Sequence, residues 1–473
     1  MKSQKFSNLI GVASILSMFL YAFFVSLSRK QFLETSLTYF SLFILLGGFY
    51  YVCSRSYSQN LALFSKLGFG KMQWTGLITV IGLLGLVFRG VFLFETPTLS
   101  QDFFRFIWDG HHLLNGFNPY TSLPDELIEN GAAHIPHANY LYDNMGSLSS
   151  GNYSNYPPLN QFFFVISAYL GGESLLGTVV AMRLFIISAD VLIFIYGVRL
   201  LQMMRKPTYL IMLYLLNPFI IIELTGNLHW EGVMAAFTLM SIYYLLRLEF
   251  IKSAWLLGNG ILLKLMPVLI LPLFIKRIEW SKLIVFYLFV GFVVVCGFIP
   301  FFSEQLYQKY GSSVGLWFGK FEFNASIYYI IRAIGYKIIG YNLIETVGKI
   351  LPVITFIGVW LIALLRKNQL PEVLLESIVF SFLIYYLLST TVHPWYLTIP
   401  LLISIFTNYR FMVLWSALVF LSYSAYGNSN FEENLWLVAV EYILVLGYFI
   451  YELIAYHKLK KKQHIAVASS FNA

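Results

Sequence analysis

One short segment of the sequence carries several side chains capable of acid–base chemistry. Within the string SQDFFRFIWDGHHLLNGFNPY the polar residues at relative positions 0, 3, 7 and 10 are Asp102, Arg105, Asp109 and His112. This spacing puts the side chains on one face of a helix. A carboxylate on that face can accept a proton, and an arginine can hold an anion. Because an apolar run ends near Phe94, we predict that this helix lies at a membrane surface.

The composition indicates a membrane protein. Of 473 residues, 58% are hydrophobic and only 11% are charged, which is too apolar for the surface of a soluble globular protein. Apolar runs of membrane-spanning length begin at about Asn8, Ser36, Gln73, Leu175, Thr208, Gly232, Ala254, Leu283, Leu343, Pro371, Pro394, Phe411 and Leu435. We therefore predict an all-α, polytopic membrane protein with about 12, and up to about 14, transmembrane helices.

Positive charges predict the orientation of these runs. Lysines precede the first run and follow the last, and positive residues near span ends mark the cytoplasmic side. Both termini are then cytoplasmic, and the largest loop, about 95–158, lies on the opposite side. We predict a single transmembrane domain over 1–457, with short helices in the large loop, followed by a basic, polar cytoplasmic tail over 458–473.

The middle of the chain leaves the number of crossings open. The positive clusters at 205–206 and 276–277 should both be cytoplasmic, yet three apolar runs separate them. We therefore expect one of these runs to be broken or re-entrant, unless the short run at 159–170 also crosses. The interrupted run at 326–339 is expected to lie on the outer surface instead of spanning.

Structural roles compete with chemical ones for several of these residues. Asp102 could simply stabilise a helix N-terminus, and Arg105 and Asp109 could form a surface pair one helical turn apart. The aromatic residues around them favour a helix that lies partly in the membrane interface with its polar face turned inward. Arg183 and Asp190 share one face of an apolar run, which indicates an ion pair inside the helix bundle.

Several motifs occur in a fixed order between about Ser100 and Tyr396. They are an acidic residue with two aromatics and Arg, WDG, GFNPY, YPPL, NP with GN and an acidic residue, Lys-x-x-Pro, FNASIYYIIR and HPWY. The ordered set resembles the membrane glycosyltransferases of the GT-C superfamily, especially the bacterial polyprenyl-phosphate-mannose-dependent mannosyltransferases. It is more remotely similar to the eukaryotic glycosylphosphatidylinositol mannosyltransferases.

The resemblance implies transfer of a sugar, most simply mannose, from a polyprenyl-phosphate donor to a glycolipid or glycan acceptor. The reaction would take place in the cytoplasmic membrane, on its extracytoplasmic side and with inversion. Asp102 is then the expected general base, and Asp109 is the reserve candidate. The eukaryotic relatives have a DxD motif here, but Ser100 replaces its first acid. We therefore expect no metal site at this position, and a divalent cation stays the open alternative. We also expect no other cofactor and no nucleic-acid partner.

A phosphate leaving group requires nearby positive charge. The candidates for donor-phosphate binding are Arg105, Lys264, Arg332 and His393. An ionisable Lys264 within an apolar run is costly unless it faces a polar cavity, whereas His393 could also be an ordinary interfacial residue. The candidates for substrate binding are Trp108, Asn118, Tyr156, Asn227, His229, Glu231 and Trp395.

Other classes of protein fit the sequence less well. A permease or lipid-linked sugar flippase could use Lys264, Arg183 and Asp190 to line a path, but it would not need the large outer loop. A retaining hydrolase needs carboxylates about 5–5.5 Å apart, whereas Asp102 and Asp109 are separated along a helix by about 10 Å. A structural subunit of an envelope-polymer assembly is a third alternative.

Overall fold

A computed structural model of the chain describes residues 2–67, 74–428 and 430–471. In these residues the fold is all-helical, as predicted, and the one β contact is an isolated bridge between Phe323 and Thr391. The α-helices, in chain order, are α1 (Lys2–Val25), α2 (Phe32–Leu67), α3 (Trp74–Gly90), α4 (Asp102–Leu114), α5 (Pro124–Glu129), α6 (Ala138–Met145), α7 (Ser147–Ser150), α8 (Pro158–Gly171), α9 (Leu175–Met203), α10 (Met212–Leu215), α11 (Glu231–Leu246), α12 (Phe250–Leu263), α13 (Trp280–Phe298), α14 (Leu306–Gly319), α15 (Ile327–Ile338), α16 (Ile344–Leu365), α17 (Pro371–Leu387), α18 (Thr398–Ser404), α19 (Phe411–Leu418) and α20 (Leu435–Phe471).

Shorter helical segments extend or interrupt several of these helices. The 3-10 segments are Thr208–Ile211, Met266–Phe274, Ile299–Phe301, Pro394–Leu397 and Val419–Gly427, and the π-helical segment is Ile220–Gly226. Proline explains part of this pattern, because Pro267 and Pro272 cannot donate the backbone hydrogen bonds that a continuous α-helix needs.

Membrane-spanning length is reached by only some of the helices. Within the described residues, six helices are long and apolar enough to cross a membrane, namely α1, α2, α9, α13, α16 and α20. Several shorter apolar helices, among them α11 and α12, pack with them in the same bundle. The protein is thus a helical membrane protein by length and composition, and the larger number of crossings stays a prediction.

The broken run predicted in the middle of the chain is present. Thr208–Leu215 and Ile220–Gly226 meet at an angle of 56°. A break in an apolar helix frees backbone carbonyl groups that need donors. The end of the second segment has the same need, and Arg183 supplies donors there, because its Nε donates to the carbonyl oxygen of Thr225 at 2.8 Å and its Nη2 to that of Gly226 at 3.1 Å.

The predicted ion pair between Arg183 and Asp190 is wrong. Asp190 pairs with Arg89 of α3, whose Nε lies 2.6 Å from Asp190 Oδ2 in the buried bundle. Arg183 is instead satisfied by the backbone of the broken run. Two residues on one helical face need not bind each other when neighbouring helices offer better-placed partners, and packing decides which partner is closest.

Helix α15 occupies the segment predicted not to span. Its 12 residues extend about 18 Å, which is shorter than a hydrocarbon core. Tyr328 and Tyr329 are buried, whereas Ile330 and Ile334 on the same helix are exposed. The prediction that this segment does not cross is consistent with its length, and the side of the membrane on which it lies stays a prediction.

The large loop over 95–158 contains the predicted short helices, α4 to α7, and α4 packs closely on α8. The aromatic residues of α4 differ from expectation. Phe103, Phe106 and Trp108 are buried in the protein core, so the apolar face of α4 is covered by protein and not by the membrane interface.

The predicted tail begins within α20, which extends to Phe471. Residues 472–473 of that tail lie outside the described residues. Its cytoplasmic location stays a prediction.

Candidate active site

Asp102 is the first residue of α4 and is half-buried. Its backbone N–H donates to Ser100 Oγ at 3.3 Å, so Ser100 provides a local acceptor at this helix start. The Tyr156 hydroxyl lies next to the Asp102 carboxyl group, and the charges of Lys264 and Glu231 reach that group. Burial raises the pKa of Asp102 to about 6, against the opposing charge of Lys264 and the nearby Tyr156 hydroxyl. The carboxyl group therefore titrates close to neutral pH.

Lys264 occupies a break between two helical segments. It follows the last residue of α12 in an extended conformation, and a 3-10 segment begins at Met266. Its Nζ lies 3.0 Å from Oε1 of the buried Glu231 and 5.0 Å from the centre of the Tyr156 ring. The break lets this charge point into a polar cluster, which meets the cost of placing it in an apolar run.

Asn160 of α8 fixes the position of this break. Its side-chain amide is fully buried and donates to the carbonyl oxygen of Leu263, which has no helical partner at the end of α12. Tyr156, at the other end of the same segment, is held by the Tyr120 hydroxyl, which donates to its carbonyl oxygen at 2.6 Å. The YPPLN motif thus positions both Tyr156 and Lys264.

Replacing Asn160 with leucine is expected to destabilise the protein by about 1–3 kcal/mol, because the Leu263 carbonyl group would be buried without a donor. The measurement is thermal unfolding in detergent. Asn259→Leu is the control, because the Asn259 amide only donates to Trp255 within α12 at an exposed position. Equal melting temperatures for the two variants would contradict the proposed role of Asn160.

A column of stacked rings forms another side of the cluster. His229 stacks on Trp395 with ring centres 3.7 Å apart, and Trp395 stacks on His393 at 4.6 Å. His393 in turn stacks on Phe323 at 5.1 Å. The column joins three segments that are far apart in sequence, and it brings His229 and the adjacent Glu231 next to the HPWY motif.

The structure therefore brings together many of the candidates predicted from sequence. The gathered residues are Asp102, Tyr156, His229, Glu231, Lys264, His393 and Trp395. They come from the segments that carry the acidic-aromatic, YPPL, GN-acidic, Lys-x-x-Pro and HPWY motifs. The cluster combines a carboxylate near its titration point, an ammonium group and stacked aromatic rings.

Residues 22–278 match the MptA_B family, described as alpha-(1->6)-mannopyranosyltransferase, N-terminal domain. The match covers more than half of the chain and contains Asp102, Tyr156, Glu231 and Lys264. The chain belongs to this family. No individual curated protein matches the chain closely enough to extend the assignment.

Membership of the MptA_B family confirms the resemblance to mannosyltransferases and supports a mannosyl transfer activity for this chain. A mannosyltransferase requires a sugar donor and a glycan acceptor, so the predicted partners are supported in this general form. His393 and Trp395 lie beyond the matched residues. Their place in the cluster follows from the stacking geometry alone.

Arg105 and Asp109 form a separate, buried network in this MptA_B family member. Arg105 Nε lies 2.7 Å from Asp109 Oδ1, and its Nη1 donates to the carbonyl oxygens of Ser149 and Asn152. Asp109 Oδ2 accepts from Ser154 Oγ at 2.6 Å and from Gln161 Nε2 at 3.1 Å. This placement favours a structural role for both, with the loop after α7 tied to α4.

The remaining candidates have contacts of their own. Trp108 is buried in the core, and Asn118 donates to the carbonyl oxygen of Phe301 at 3.0 Å. Asn227 holds the chain just before α4, because its Oδ1 accepts from the backbone N–H of Leu99 at 2.9 Å. His112 lies 2.8 Å from His134, and burial lowers the pKa of His112 to about 4.

Arg332 also has its own partners. Its guanidinium pairs with Glu322 and lies 4.1 Å from the centre of the Tyr329 ring. Glu322 directly precedes Phe323, the outermost ring of the stacked column. Arg332 therefore borders the cluster through this loop, and its contacts do not include the Asp102 carboxylate.

No group of three or more His, Cys, Asp or Glu side chains in the described part of the chain is arranged to hold a metal ion. Glu223, His229 and Glu231 are close in sequence but do not form such a group. His229 Nε2 lies 3.7 Å from Glu223 Oε2, and the Tyr423 hydroxyl donates to Glu223. Metal independence stays a prediction.

Arg29, in the connection between α1 and α2, is a site residue that sequence reasoning missed. Its Nη2 donates to Oε1 of Gln101, the residue before Asp102, at 3.1 Å, and its guanidinium lies 4.9 Å from the centre of the Tyr426 ring. A signal was available in the sequence. Arg29 and Lys30 are cations in a connection predicted to be extracytoplasmic, against the usual distribution of positive charge.

Proposed function

We propose that this protein transfers a mannosyl group from a polyprenyl-phosphate donor to an acceptor hydroxyl, with inversion, at the extracytoplasmic face of the cytoplasmic membrane. The observation that carries the proposal is the cluster of the half-buried Asp102, Tyr156 and the Lys264–Glu231 ion pair, within the residues matched to an alpha-(1->6)-mannopyranosyltransferase family. Burial raises the pKa of Asp102 to about 6. A base with this pKa is suited to catalysis at neutral pH.

Asp102 acts as the general base in the proposed reaction. The acceptor oxygen forms a bond to the anomeric carbon while its proton moves to the Asp102 carboxylate. The bond from the anomeric carbon to the donor phosphate breaks on the opposite side, and its electron pair leaves with the phosphate oxygen. A single displacement of this kind inverts the anomeric centre and needs only one carboxylate at the reacting atoms.

Glu231 is suited to holding a sugar. Its carboxylate is buried, and apart from the Lys264 ion pair it receives no hydrogen bond from the described residues. Buried acceptors without donors are costly, and sugar hydroxyls would satisfy them. The nearby ring column, which includes the largely buried His229 and Trp395, forms an apolar wall of the cluster against which a pyranose ring could pack.

The rate of transfer is expected to fall on the acid side with a midpoint near pH 6, because only ionised Asp102 accepts the proton. Since burial raises the pKa of Asp102 to about 6, kcat/KM at pH 5 should be about tenfold below its value at pH 7. Lys264→Gln should move the midpoint to higher pH, since the lysine charge favours the ionised carboxylate. A flat profile between these pH values would count against Asp102 as the base.

The direct test uses purified protein in lipid nanodiscs with radiolabelled polyprenyl-phosphate-mannose and a membrane lipid extract as the source of acceptor. Radiolabel should move to a new product, and polyprenyl-phosphate-glucose should serve poorly. If no product forms with either sugar donor, the proposed transfer reaction is wrong. Movement of intact donor across the bilayer of proteoliposomes that contain the same protein, without product, would instead identify a flippase.

A further inference from the structure

The arginine and lysine candidates for donor-phosphate binding that the sequence suggested are already engaged. Arg105 is buried against Asp109, Lys264 pairs with Glu231, and Arg332 pairs with Glu322. A phosphate that approached any of these would compete with a carboxylate for the same positive charge. Competition of this kind weakens anion binding, because the existing ion pair must be broken or shared.

Arg29 differs from these residues in its surroundings. It is half-buried, and among the described residues no carboxylate lies within salt-bridge distance of its guanidinium. Neutral groups hold it, since one nitrogen donates to Gln101 and the group lies over the Tyr426 ring. Its remaining donors keep their capacity for a ligand, because guanidinium carries five N–H groups and the contact with Gln101 uses one.

The position of Arg29 relative to Asp102 is also fixed. Gln101 connects the two residues, and its own amide is anchored by donation to the carbonyl oxygen of Met145 at 3.2 Å. The charge of Arg29 reaches the Asp102 carboxyl group, as does that of Lys264. The Asp102 carboxyl group is therefore within electrostatic reach of both an arginine with free donors and a lysine engaged by Glu231.

We infer that Arg29 binds the phosphate of the lipid-linked donor, with Gln101 and Tyr426 holding its guanidinium in place. Arginine binds a phosphate monoester through two parallel hydrogen bonds, which suits a leaving group that becomes more negative as its bond to the sugar breaks. The arrangement puts the phosphate close to the base and leaves the lysine with Glu231. This inference rests on the proposed function for the identity of the lipid-linked ligand.

Direct binding tests this role without requiring turnover. Fluorescence-quenching titrations would compare farnesyl phosphate with farnesol, using full-length protein in phosphatidylcholine nanodiscs and a buffer without inorganic phosphate. We expect wild type to bind farnesyl phosphate more tightly than farnesol. Arg29→Gln should lose about 10- to 100-fold in affinity for farnesyl phosphate and little for farnesol, because only the phosphate contact is removed. Arg29→Lys should retain part of the preference, since it keeps the charge but not the paired donors.

Lys30→Gln is the matched control, because it removes the same charge from the neighbouring, exposed residue of the same connection. It should bind like wild type. If Arg29→Gln keeps the full preference for the phosphate over the alcohol, or if Lys30→Gln loses it equally, the assignment to Arg29 is wrong even if wild-type protein transfers mannose. If wild type shows no preference for farnesyl phosphate over farnesol, both the Arg29 assignment and the proposed polyprenyl-phosphate donor are wrong. If wild type shows this preference but transfers no sugar, only the proposed transfer reaction is wrong.

Discussion

Asp102→Asn is expected to lower kcat for mannosyl transfer by about 10²–10⁴-fold, because it removes the group that accepts the acceptor proton. The side chain keeps its size and can still face Tyr156 and Lys264, so donor binding should change much less than kcat. The measurement is the initial rate of product formation at saturating donor, with KM for the donor determined in parallel.

Asp143→Asn is the control for this variant, because Asp143 is an exposed carboxylate in the same large loop. Folding should be intact in both. Folding raises the pKa of Asp102 to about 6. Above that pH the carboxyl group is ionised in both states, and its charge then lowers the stability of the folded protein relative to the unfolded chain. Removing that charge should therefore not lower the melting temperature at pH 7. Wild-type kcat in Asp102→Asn would mean that another group is the base.

Asp109→Ala is expected to have the opposite profile, with a loss of about 3–5 kcal/mol in stability, because it leaves Arg105 buried without its carboxylate. Ser154 and Gln161 would also lose their shared acceptor. The measurement is the apparent melting temperature and the yield of monodisperse protein in detergent.

A double variant separates the structural from the catalytic role of Asp109. Arg105→Met combined with Asp109→Leu removes both buried charges and should recover a large part of the lost stability. Recovery of transfer in parallel would identify Asp109 as a positioning residue. A folded, stable Asp109→Ala that has lost only kcat would return Asp109 to the position of general base.

The local pattern of the sequence was sufficient to predict α4 and the apolar helices. The spacing of Asp102, Arg105 and Asp109 predicts one helical face, and α4 indeed runs from Asp102 to Leu114. The apolar run at Leu175 begins at the first residue of α9. These predictions hold because helix periodicity and hydropathy depend on residues a few positions apart.

The same spacing did not show which of the charged residues on α4 would be solvent-accessible. Arg105 and Asp109 bind each other and the loop after α7. Asp102, at the first position of the same helix, is instead within reach of the charge of Lys264. This difference depends on which side chains of α8 and of the large loop pack against α4. No rule that uses the spacing of residues on one helix contains that information.

By itself the sequence determined the helical membrane class, the family, and the residue types available for catalysis. Only the tertiary structure decided which polar side chains meet, as in the pairing of Lys264 with Glu231 and the hydrogen bond from Arg29 to Gln101. The physical reason is the short range of these interactions. A hydrogen bond or buried ion pair forms only within about 3 Å, and whether segments far apart in sequence come that close is determined by the packing of the whole bundle.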